Sequence, residues 1–240
     1  MGRMFEVRKA SMFARYDKMA KQFSRIGKDI VIAVKQGGPD PDNNPALRRA
    51  MQNAKGVNMP KDKVMAAIKR AQGKDTSDYE EILYEGYAPN GVAILIETAT
   101  DNPVRTVAKV RAVFNKCNGS LGTSGSVSFQ FKKMGVFKLE PAELDMEELE
   151  LELIDYGLEE MGEGKDDNDQ DVLIIRVPFE DFGNMQKGLE EKGLEPKSSE
   201  LEWIPQNLVE LSGDAEEDVL KLIAKMEEEE DVQKVFHNLQ

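Results

Sequence analysis

One cysteine, one histidine and one tryptophan in 240 residues leave little material for several kinds of chemistry. A lone Cys117 excludes an intrachain disulfide framework and fits a reducing compartment. It stands late in a helical pattern (Val107, Val110, Val113, Phe114) and reads as a buried structural thiol. His237 lies at the extreme end, so no histidine-based metal site is expected. Long apolar runs are also missing. The longest, Ile30 to Val34 and Val92 to Ile96, fall far short of the ~20 residues a membrane helix needs. The basic N-terminus has no apolar h-region, so it does not read as a secretory signal. Its helical pattern continues into the first domain, which argues against a mitochondrial presequence. A soluble, cytoplasmic protein without a membrane partner is expected. The carboxylates Glu97 and Asp101 near a strand-to-helix junction have no histidine or activated nucleophile beside them. Asp101 reads as a helix cap. We therefore expect no catalytic residue, no metal or cofactor and no small-molecule substrate.

What the chain does have is charge, unevenly divided. Residues 1–74 carry 17 Lys/Arg against 6 Asp/Glu, a net of +11, and the remainder carries 15 against 39, a net of −24. The pI of 4.8 conceals a basic module joined to an acidic body. Such a field steers polyanions to one end of the molecule, which points to a nucleic-acid or ribosome partner. The rival reading is intramolecular, with the basic module docking on the acidic body.

The length calls for two or three domains. Phe13, Tyr16, Ala20, Phe23, Ile26, Ile30, Ala33 and Val34 recur at helical spacing up to Gly37-Gly38, one apolar stripe. At 100° per residue Lys18, Lys21, Arg25, Lys28 and Lys35 fall on the opposite arc. Asn44-Pro45 reads as an N-cap followed by proline at the first helical position. The helix it opens turns Leu47, Met51 and Ala54 inward and Arg48, Arg49 and Lys55 outward. A third helix, from about Met59, buries Val64, Ala67, Ile68 and Ala71. A linker is expected over Lys74 to Asp78. Further on, the reading is strand 91–98, helix 103–117, strand 126–131, then strand 135–140, helix 145–156, a short strand near Leu158, strand 172–177, helix 179–192 and strand 197–203. A strand (208–211), a helix (215–226) and a last strand (232–237) follow. The middle series is β-α-β-β-α-β, the ferredoxin-like order, and the flanking pieces supply a second such set.

The fold class expected is thus α+β. A small N-terminal helical domain (1–78) precedes two ferredoxin-like βαββαβ domains, one (132–205) inserted in the other (79–131 plus 206–240).

The candidate nucleic-acid-binding residues are Arg3, Arg8, Lys9, Lys18, Lys21, Arg25, Lys28, Arg48, Arg49, Lys55, Lys61, Lys63, Lys69 and Arg70. Aromatics there are few, so backbone or shape recognition is favoured over base readout. The glycine-rich stretch 119–126 offers a candidate backbone-phosphate loop at Gly122, Thr123, Ser124 and Gly125. It lacks the Gly-Lys-Ser/Thr ending of a P-loop and follows a helix instead of preceding one, so it also reads as a tight connection. The acidic run 166–171 lacks the glycine and glutamate of an EF-hand and reads as a solvated hairpin loop.

Several stretches carry a resemblance: GGPDPDNNPALRRAMQNAKGVNMPKDKV (37–64), YEGYAPNGVAILIETATDNPVRTVAKVRAVF (84–114), GSLGTSGSVSFQF (119–131), IPQNLVEL (204–211) and VFHN (235–238). The chain closely resembles the YebC/PmpR family, which includes the mitochondrial translational activator of cytochrome oxidase. The resemblance implies a helical domain and two α+β domains, one inserted in the other. It also implies a transcriptional regulator that binds DNA or, alternatively, a ribosome-associated factor that binds rRNA or tRNA and helps translation of proline-rich stretches. A protein-interaction module without nucleic-acid contact is a third reading. Many members begin Gly-His-Ser-Lys-Trp, whereas this chain has Gly2-Arg-Met-Phe-Glu-Val-Arg-Lys9, so any role of that Trp and His does not transfer.

Overall fold

The computed structural model describes residues 3–73, 78–141, 145–166 and 169–240, with side chains from Tyr16 onward. The expected linker at 74–78 and the side chains of Arg3, Arg8, Lys9 and Phe13 therefore lie largely outside the described residues. The chain forms two compact units, Met1–Tyr79 and Glu80–Gln240.

Three helices build the first unit: α1 (Arg3–Gly37), α2 (Pro45–Gly56) and α3 (Lys61–Ala71). Gly38 ends α1 at φ +87°, a conformation that costs a glycine little. Asn44 then does two jobs. Its Oδ1 accepts the Leu47 N–H at 3.0 Å, capping α2, while its Nδ2 donates to the carbonyls of Ala33 (2.7 Å) and Gly38 (2.8 Å). That buried amide welds the end of α1 to the start of α2. Beneath it Ile30, Val31, Val34, Leu47, Ala54, Val64 and Ile68 form one core, each large aliphatic contributing roughly 1.5–3 kcal/mol. The core takes only the C-terminal part of α1. Tyr16 (52% exposed) and Met19 (37%) continue the apolar stripe into solvent.

The second unit holds two four-stranded antiparallel sheets. In the first, ordered β3-β1-β2-β8, β1 (Glu80–Tyr87) and β2 (Ala93–Thr100) form a hairpin, β3 (Ser120–Leu121) is two residues long, and β8 is Val232–His237. Side chains alternate along β2. Ile94 and Ile96 face a core with Val110 and Phe114 of α4 (Pro103–Lys116) and Leu222 and Met226 of α7 (Asp214–Glu227). Ala93 and Leu95 face the opposite way, against Val127, Phe131 and Trp203.

The other sheet comprises β4 (Phe131–Leu139), β5 (Glu160–Lys165), β6 (Asp171–Pro178) and β7 (Ser198–Pro205), ordered β5-β6-β4-β7, with α5 (Met146–Ile154) and α6 (Phe182–Glu191). This is the ferredoxin-like order. Its core joins Phe137, Ile175 and Val177 to Leu153, Met185 and Leu189. Across the seam between the sheets, Trp203 Nε1 donates to Glu97 at 2.9 Å and Lys234 pairs with Glu200.

The mixed α and β architecture agrees with expectation, but several elements differ. β1 was not anticipated as a strand, and it takes the place beside β2. The strand expected over 126–131 is a turn and a 3-10 segment (Ser128–Gln130), with β4 starting only at Phe131. The strand expected at 208–211 shrinks to a single bridge between Val209 and Leu239. Asn102, and not Asp101, caps α4, its Oδ1 accepting the Arg105 N–H at 3.0 Å. Around the acidic hairpin loop, Asp166 is not simply solvated, since Lys197 Nζ reaches its Oδ2 at 2.6 Å.

Candidate nucleic-acid interface

The outer faces of the helical unit carry the cations that its sequence pattern assigned there. Lys18, Lys21, Arg48, Lys55, Lys61, Lys63, Lys69 and Arg70 are exposed, and Arg25 and Arg49 are half-buried. They stand on all three helices, because each helix spends one face on the common core and carries mostly polar residues on the other. Lys63 Nζ lies 5.0 Å from the centre of the Phe23 ring, so its stem is laid down while its charge stays at the surface. Lys35 is paired with Asp78.

Lys28 is a correction. The helical wheel put it on the solvent arc, yet it is only 9% exposed and its ammonium lies 5.5 Å from the centre of the Tyr79 ring. The reason is that α1 packs against both α2 and α3. Its buried face therefore spans Gly27, Lys28, Ile30, Val31, Ala33 and Val34, wider than the single apolar stripe implied.

The glycine-rich loop is a second correction. Its amides turn inward, onto Glu85 of β1. Gly125 N–H donates to Glu85 Oε1 at 2.7 Å, and Val127 and Ser128 N–H both donate to Oε2 at 2.8 Å. Gly122 N–H bonds the Glu85 carbonyl at 2.7 Å. The loop is a nest for an anion, but the anion is internal, so the Gly122 and Gly125 amides do not cradle a phosphate. Burial opposes the charged form of Glu85, yet the three amide donors outweigh it and hold the carboxyl below its ordinary pKa. Thr123 and Ser124 remain exposed at the tip.

A polar cluster beside α4 accounts for Asp101 at the β2-to-α4 junction, Glu97 being taken by Trp203. Arg105 Nη2 donates to Asp101 (2.8 Å) and to both oxygens of Asp231 (3.0 and 3.1 Å). The Thr106 hydroxyl lies 2.8 Å from both Thr100 Oγ1 and Asp231 Oδ2. Asp231 is 6% exposed, and these partners satisfy it. The cluster ties the turn before β8 to the start of α4. Cys117 is buried in the core beside Phe114, as its position in the helical pattern suggested.

Sequence reasoning missed Phe129. Alternation along the strand expected over 126–131 would place it on one face with Val127 and Phe131. The 3-10 segment instead buries Val127 and Phe131 and leaves the Phe129 ring 69% exposed.

Comparison with known proteins bears on the whole chain. Residues 3–74 match the model of the TACO1/YebC protein N-terminal domain, and residues 79–239 match that of the TACO1/YebC second and third domain. The chain belongs to the TACO1/YebC family. It is 59% identical over 239 residues to a protein of Myxococcus xanthus and 56% identical to one of Flavobacterium johnsoniae. It covers 100% and 99% of those two chains, and each is named "Probable transcriptional regulatory protein". The fold also superimposes on a crystal structure of a conserved hypothetical protein, Aq1575, from Aquifex aeolicus. The TM-score is 0.80 at 36% identity, covering 92% of this chain and 90% of that one. No described helix is long and apolar enough to cross a membrane.

Proposed function

We propose that this TACO1/YebC protein is a non-enzymatic regulator that binds nucleic acid through the outer faces of its helical unit, with transcriptional control through DNA as the primary reading. The observation that carries it is the set of exposed cations on three helices, segregated from an independent core. If about six of them contact phosphates, the affinity falls roughly 10³-fold between 50 and 200 mM salt. The names of the relatives support transcription.

A second reading, a ribosome-associated factor acting on translation, draws on a different observation. The cations are suited to phosphates, which carry no base sequence, and a body of net −24 must be held away from the polyanion. A bounded ribosomal site satisfies that more readily than free duplex. Under either reading we also propose the division expected from the sequence, 79–131 plus 206–240 and 132–205, with its edges moved, since Tyr79 belongs to the first unit and Phe131 opens β4. Ribosome profiling of a deletion strain beside chromatin capture separates the two. Promoter occupancy with unchanged pausing supports transcription, and altered pausing without occupancy rejects it.

A further inference from the structure

The acidic body contains one long interruption. Residues 102–139 include seven Lys/Arg and no Asp or Glu, in a unit whose acids otherwise far outnumber its bases. This stretch contains the glycine-rich loop, Phe129 and the start of β4. Phe129 is the most exposed aromatic ring among the described residues of the unit, at 69%. Leaving a phenylalanine in water forfeits roughly 1.5–3 kcal/mol of burial, and here the backbone makes it do so. Glu85 grips the amides on either side of Val127. Gln130 N–H bonds the Val127 carbonyl at 2.9 Å, its Nε2 donates to the Tyr87 hydroxyl at 3.1 Å, and Gln206 N–H bonds the Gln130 carbonyl at 2.9 Å. The ring is thus presented from a fixed support, which lowers the ordering cost of any contact it makes.

Cations follow directly. Lys132 is paired with Glu159 at 2.6 Å, both partly exposed. A surface pair of that kind is worth little and yields readily to a phosphate. Lys133 Nζ lies 5.3 Å from the Phe179 ring centre and 5.4 Å from that of Trp203. Hydroxyls of Thr123 and Ser124 are exposed on the preceding loop.

An exposed, rigid aromatic in an acid-free stretch of chain that also carries hydroxyls and lysines has the composition of a stacking platform for unpaired bases. We infer that Phe129 and the loop before it form a second nucleic-acid contact, one that takes an unpaired strand by stacking a base on the Phe129 ring. This rests on the nucleic-acid reading above and adds to it the recognition of single-stranded character, which the helical unit's phosphate contacts do not supply.

The test uses the full chain and labelled oligonucleotides of about 12 nucleotides, single-stranded DNA, single-stranded RNA and duplex, followed by fluorescence anisotropy. Phe129→Ala is expected to weaken single-strand binding by about 5- to 100-fold, as the loss of one stacked base does. It should leave duplex binding and the melting temperature unchanged, and Phe129→Trp should restore the single-strand affinity. The DNA and RNA arms identify which strand is preferred. Single-strand binding by Phe129→Ala equal to that of the unaltered protein overturns the inference, whatever protein contact the ring then serves. If that happens while Arg48→Glu with Arg49→Glu still weakens binding, the functional reading stands without it. If the unaltered protein binds none of the probes, both fall.

Discussion

Replacing Glu85 by glutamine changes one atom and tests how the glycine-rich loop is held. The carboxylate is 3% exposed and accepts three backbone N–H groups at 2.7–2.8 Å. Hydrogen bonds to a charged acceptor contribute about 1.5–3 kcal/mol each. A glutamine with its oxygen at the Oε2 position keeps Val127 and Ser128 but sets its own NH₂ against Gly125 N–H. One donor is lost outright, and two others lose their charged acceptor. Gly125 is exposed and can turn to water, so the net cost should be about 1–3 kcal/mol. Glu85→Ala should cost more, because the buried Val127 N–H is then orphaned. The pH dependence fixes the sign. Glu85 titrates below its ordinary value in the folded protein, so its contribution is fully present above the unfolded carboxyl pKa of about 4.3. The contribution is lost as the pH falls through the folded value. Urea melts of the two proteins should therefore differ at pH 7 and converge in acid, and amide exchange at Gly125, Val127 and Ser128 should quicken in the variant. A difference under about 0.5 kcal/mol, or one that does not change with pH, would refute the argument.

The other expectations are briefer. Arg48→Glu with Arg49→Glu should leave the melting temperature of the protein nearly unchanged. It should also lower the slope of log affinity against log salt by about two, one per lost phosphate contact. Asn44→Ala removes the α2 cap and both ties to the end of α1, and should cost about 2–4 kcal/mol in chemical denaturation, a cap plus two unmet carbonyls. Leu47→Ala, at a fully buried position, should cost about 2–5 kcal/mol. A near-neutral result would show that the helical unit lacks the packed core described.

Much of the architecture was legible because it rests on local patterns. The α1 stripe, the Asn44-Pro45 start of α2 and the β-α-β-β-α-β series each leave a period or a cap in consecutive residues. What escaped depends on residues distant in sequence. The 126–131 segment alternates like a strand, but Glu85, 40 positions from Gly125, draws its amides out of any ladder. Lys28 looks solvent-facing until the Tyr79 ring is brought over it. β1 carries no clean alternation, since its buried Glu85 and Gly86 break the apolar count. The candidate site shows the same division. Exposed cations are opposite a stripe and can be read from it, whereas the outward turn of Phe129 follows from a long-range carboxylate contact.

The central claim is that the helical unit's cations meet phosphates, and salt titration of binding tests it most directly. Purified full-length protein should bind duplex DNA or ribosomal RNA with an affinity that drops roughly 10³-fold from 50 to 200 mM salt, and charge reversal at Arg48 and Arg49 should flatten that drop. Absence of binding to either polymer at low salt, or binding that ignores salt, would contradict the account.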